Sequence, residues 1–140
     1  MQARRADRVE EALRALLLST APLAALVGRR VDWGLRPQGD PLPGLTLQRI
    51  SDAPVMNLAG PSGWSRARIQ LDAWGRTFKE ARDIGDLLAG RGGLLVGLRR
   101  DVAGIRLRGF VVVRRSGTDS TRTDPIHRDS IDLMLTYTAL

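Results

Sequence analysis

The chain's one histidine, His127, stands in Asp124-Pro125-Ile126-His127-Arg128-Asp129, the only segment that sets an imidazole beside carboxylates. Such a group could take a proton from a serine, with Ser120 or Ser130 as nucleophile and an aspartate holding the ring. The spacing matches no nucleophile elbow, and the sequence contains no Gly-x-Ser-x-Gly. The segment therefore reads as a strand entry carrying solvated charges. A lone histidine in a chain without cysteine cannot supply the several N or S ligands that zinc needs, and disulfides are excluded. Gly90-Arg91-Gly92-Gly93 has the composition of a phosphate cradle. It follows a helical pattern, however, whereas phosphate loops precede a helix and use its N-terminal amides. It reads as a helix-to-strand connection. No catalytic residue, metal or cofactor is expected.

The remaining chemistry is that of surfaces. In a chain poor in aromatics, Trp33, Trp64 and Trp74 are large contact groups, and tryptophan is enriched at interface hot spots. Trp74 ends a strand pattern in which Ala67, Ile69, Leu71 and Ala73 point one way. Arg66, Arg68, Gln70, Asp72 and Trp74 point the other way. The expected subunit or partner interface comprises Arg66, Arg68, Asp72 and Trp74, joined by Trp64 and Met56 from a preceding arm.

The net charge of +7 raises nucleic acid as a partner. The basic residues are scattered, and all but Lys79 (and His127) are arginine, as a GC-rich coding sequence would give. A basic nucleic-acid-binding module is thus the alternative reading. Charges recur regularly through the first twenty residues, which suits a helix and not a secretory signal. No apolar run approaches the ~20 residues of a membrane span. The expectation is a protein made in the cytoplasm, or assembled into something there.

The elements that must position these groups follow from periodicity. Val9, Ala12, Leu13, Leu16 and Leu17 form the stripe of a core-facing helix over 6–19, with Asp7 as N-cap and Glu10 three residues on, close to a capping box. Pro22 ends or restarts it. A short turn to Gly28 and an extended piece over 30–33 follow. Residues 36–44 are a connector rich in proline and glycine, and 45–50 a strand. Residues 54–62 read as a long loop or arm, and 66–74 as the clearest strand. Thr77-Phe78-Lys79-Glu80 is a capping box opening a second helix, with Phe78, Ala81, Ile84, Leu87 and Leu88 as its apolar face and Gly90 at its C-terminus. Strands over 105–115, with Gly109 marking a bulge or close approach, and over 129–139 finish the chain. A polar loop over 116–125 joins them. The expected fold is one α+β domain over 1–140. It is a mostly antiparallel sheet packed with an amphipathic N-terminal helix and a second central helix, with an extended loop or arm at about 52–64.

Several stretches, in order along nearly the whole chain, resemble the tail terminator (tail completion, head–tail joining) proteins of long-tailed phages and phage-like gene transfer agents. Arg36-Pro37-Gln38-Gly39-Asp40-Pro41-Leu42-Pro43 with its following strand is similar to their proline-rich segment. Arg68-Ile69-Gln70-Leu71-Asp72-Ala73-Trp74 is similar to their central strand, and His127-Arg128-Asp129-Ser130-Ile131-Asp132-Leu133-Met134-Leu135 to their last one. The opening helix with Leu23-Ala24-Ala25-Leu26-Val27-Gly28 also matches. Gly44 replaces the family's usual aromatic, and 94–113 matches poorly. The resemblance implies a non-enzymatic virion protein, a homohexameric ring that caps the tail tube and meets the head connector, with DNA later passing through its lumen. It implies the tail-tube protein, the connector protein and other copies of itself as partners, and no membrane. The arm and the 116–124 loop are expected to reach neighbouring subunits or the tube.

Overall fold

The computed structural model describes residues 5–121 and 123–140, with the side chains of 5–8 outside that description. The helix already runs from Arg5, so the backbone of Asp7 lies inside it, and the expected side-chain cap falls outside the described residues. The elements in chain order are α1 (Arg5–Ser19), α2 (Ala21–Val27), β1 (Val31–Trp33), β2 (Gly44–Asn57), β3 (Gly60–Gly75), α3 (Phe78–Ala89), β4 (Leu98–Val102), β5 (Ile105–Asp119) and β6 (Ile126–Ala139). The strands form one six-stranded sheet in the order β1-β2-β3-β6-β5-β4, antiparallel except for the β1–β2 pair.

Alternation along β3 and β6 separates the two faces of the sheet. Ala67, Ile69, Leu71 and Ala73 lie beside Leu135, Leu133, Ile131 and Asp129, and the apolar members of this set are fully buried. They meet Val9, Ala12, Leu13, Leu16 and Leu17 of α1, Leu23 and Val27 of α2, and Ile84 and Leu88 of α3 in one continuous core. The helices thus cover one face. The other face carries Arg66, Arg68, Gln70, Asp72 and Trp74 beside Thr136, Met134, Asp132, Ser130 and Arg128.

Four expectations are corrected. The stretch read as a loop or arm is the outer end of a β2–β3 hairpin, closed by Leu58-Ala59, with pairs continuing to Asn57↔Gly60. Pro54 is tolerated there because β1 pairs with β2 only at Leu45, Thr46 and Leu47, so proline's missing N–H falls on a strand with one free edge. β5 runs on to Asp119, which shortens the polar loop to 120–125. β4 was not anticipated: its three central residues are charged and exposed and give no alternation. Phe78, expected on the apolar face of α3, is 52% exposed, and the buried face is Ala81, Ile84, Gly85 and Leu88. Gly109 marks a close approach, since a Cβ there would stand 3.2 Å from Leu133 Cδ1, while the bulge falls later, at Val112.

The α3 cap forms in a shifted version. Thr77 Oγ1 accepts from the Glu80 amide at 3.1 Å, and Glu80 Oε2 accepts from the amide of Arg76, one residue before the cap, at 2.9 Å. Thr77→Ala is expected to cost about 1 kcal/mol in denaturant unfolding, and Thr77→Ser much less, because serine caps equally well.

Candidate assembly surfaces

The open face is organised in rows across the strands. One row holds Arg68, Met134 and Phe110; the next holds Gln70, Asp132 and Val113; the next Asp72, Ser130 and Arg115; and the last Trp74, Arg128 and Gly117. Proximity across strands, invisible in the linear sequence, decides which polar groups remain available.

Asp132 sits between two arginines. Arg68 donates to its Oδ2 from Nη2 at 2.8 Å and Nε at 3.1 Å, and Arg115 Nη1 donates to Oδ1 at 3.1 Å. Burial pushes the carboxyl pKa up, but the hydrogen bonds and charges of Arg68 and Arg115 outweigh it and hold the group below the ordinary value of 3.8. A carboxyl with a depressed folded pKa adds stability that is present above its unfolded pKa and lost as the pH falls through the folded one. Acid titration of stability should therefore show a loss below about pH 4 that is smaller in Asp132→Asn.

The expected interface residues divide. Asp72 is 9% exposed and engaged within the subunit, accepting from Ser130 Oγ at 2.5 Å and Gln70 Nε2 at 3.1 Å. Trp74 is half-buried, its Nε1 donating to Thr46 Oγ1 at 2.9 Å, with the Arg128 guanidinium 5.8 Å from the ring centroid. Arg68 is committed to Asp132. Arg66, Met56 and Trp64 lie toward the hairpin: Arg66 and Met56 are exposed, and Trp64 is half-buried. Arg66 and Met56 line a shallow cleft with Ala53, Pro54, Val55 and Met134. The Ser–His–Asp arrangement is not assembled, since Ser130 serves Asp72 while His127 Nδ1 meets Thr118 Oγ1 at 3.1 Å. Gly90 to Gly93 form the turn that leaves α3, with the Gly93 amide donating to the Gly90 carbonyl.

Sequence reasoning missed the exposed apolar residues Ile50, Leu58, Phe110, Val112 and Val113. Leu58 sits in the hairpin turn, and the others, together with Met56, lie along two strand edges. On β2, residues 48–57 have β3 on one side and no strand on the other. On β5, residues 110–119 have β6 on one side and no strand on the other, because β4 pairs with β5 only as far as Gly109. Unpaired edges with exposed apolar side chains are sites of strand addition.

Among the described residues no helix is long and apolar enough to cross a membrane. The sequence matches the family model "Tail completion protein gp17" over residues 11–129. No curated protein matches it. In fold, the chain is similar to a protein of the virion of a native gene transfer agent particle, with a TM-score of 0.74 at 17% identity, covering 97% of this chain and 99% of that one. A second solved structure, which carries no functional description, has a TM-score of 0.55 at 15% identity, covering 99% and 97%.

Proposed function

The chain belongs to the tail completion protein gp17 family, and from that premise we propose that it caps the end of a phage-like tail tube as a ring, ends tube polymerisation and presents the joining surface for the head connector. It is a structural tail protein. In this reading it works at the tail–head junction, as a homohexamer assembled in the bacterial cytoplasm, and DNA passes through its lumen without sequence recognition. A ring of identical subunits needs a heterologous interface, in which one patch meets a different patch on the next copy. The observation that carries the reading is the pairing of that family membership with two unlike free edges on opposite sides of one sheet. Arg66, Met56 and Trp64, at the hairpin, are the expected contacts with a neighbour or the tube. Arg68 and Trp74 support that surface from within the subunit, and Asp72 is too enclosed to join it.

The alternative of a basic nucleic-acid-binding module needs arginines free to meet phosphate. On the open face Arg68 and Arg115 are paired with Asp132, and Arg106 and Arg108 with Asp101, which lowers the field that DNA would meet. Gold labelling of a C-terminal tag separates the structural readings. A terminator predicts label at one point, where tail meets head; label along the whole tail would mean a tube subunit.

A further inference from the structure

We infer that the ring is closed by strand addition, with the free edge of β5 (110–119) in one copy pairing antiparallel to the free edge of β2 (48–57) in the next. This deepens the ring reading and rests on it. The occupant of each edge is a second copy of this chain, and three observations select it.

The first is direction. β2, β3, β6 and β5 run alternately up and down, so β5 runs opposite to β2. Neighbours related by a ring axis keep the same orientation, so β5 of one copy meets β2 of the next as an antiparallel pair.

The second is fit. The two free stretches are equal in length and lie at opposite ends of the sheet. β1 fills the column beside β2 only as far as Leu47, and β4 fills the column beside β5 only as far as Gly109. If the free stretches overlap fully, the neighbour's β5 ends where β1 begins, and β4 sits just beyond the end of the neighbour's β2. No strand must be displaced. The two edges are offset along the strands by ~17 Å, about five residues, for every ~19 Å of four-strand repeat. That offset sets the strands at a tilt of roughly 40° to the ring axis, inside the range that closed β-barrels require.

The third is chemistry. Both edges carry exposed apolar residues, and full overlap places Val55 and Met56 of one copy against Val112 and Val111 of the next, beside Phe110 and Val113.

The chain has no cysteine, so introduced pairs report cleanly. The test uses particles whose only copy carries Val55→Cys together with Val112→Cys, treated with a short bismaleimide and run on a denaturing gel. Parallel samples pair Val55→Cys with Phe110→Cys or Ser116→Cys, so that a slipped register still gives product. The expected result is a ladder of covalent multimers from a double variant and none from either single variant. Dimers from Val112→Cys alone would mean that like edges pair, and would overturn the inference. Rings visible by microscopy without a ladder in any pairing would overturn the strand addition and leave the ring reading standing. Particles without any ring would remove both.

Discussion

Replacing residues 55–64 by Asn-Gly, so that a tight turn follows the Pro54↔Ser65 pair, should give a subunit that folds normally and fails to assemble. The removed segment contributes no residue to the buried core, and surface changes of this kind usually move stability by less than about 1 kcal/mol. It does carry Met56, Leu58 and Trp64, together with the outer part of the free β2 edge. Interface anchors of this type commonly contribute about 2 kcal/mol or more each. The number of joined particles should therefore fall by more than about thirtyfold, since each 1.4 kcal/mol is tenfold. Melting of the purified variant and particle counts by microscopy check the two halves separately. An unchanged yield of joined particles would remove the hairpin from the assembly surface.

A stability effect opposite in sign to local propensity is expected at Gly85. It lies buried in the middle of α3, where alanine would ordinarily improve the helix by about 1 kcal/mol. Here the helix backbone rests on the Arg114–Asp129 ion pair. A Cβ would collide with Asp129 Oδ2 and stand 2.7 Å from Arg114 Nη2. Asp129 is 5% exposed, so its carboxylate has no solvent to retreat into, and Arg114 is tied to Asp86 and to the Arg82 carbonyl as well. Overpacking costs about 1–3 kcal/mol, and parting an enclosed ion pair adds to it. Gly85→Ala should lose about 2 kcal/mol net in denaturant unfolding, against the sign that helix propensity alone predicts. A stabilised variant would show that α3 does not seat on β6 as described.

Much of this architecture could be read from residue order. Strict alternation over β3, a central strand with one face in the core, revealed its faces correctly, and Thr77 with Glu80 marked the start of α3. The outer β2–β3 hairpin was not legible, because Pro54, Gly60, Pro61 and Gly63 read as breakers. A strand with a free edge accepts such residues, and nothing local says which strand will be at the edge. β4 was missed because Arg99, Arg100 and Asp101 carry no buried partner to set a period. The candidate surface was legible only in outline. Asp72 looked available on its own strand, and became enclosed through Ser130, fifty-eight positions away in the chain. Phe110 to Val113 lie in the stretch expected as a strand over 105–115, and a run of apolar residues does not distinguish a buried strand from an edge awaiting a partner.

The proposed role, ending the tail and joining it to the head, is tested most directly by negative-stain microscopy of particles from cells lacking the gene. Overlong tails, or finished tails separated from filled heads, are expected there, together with their correction when the gene is restored. Tails of normal length joined to heads in its absence would contradict it.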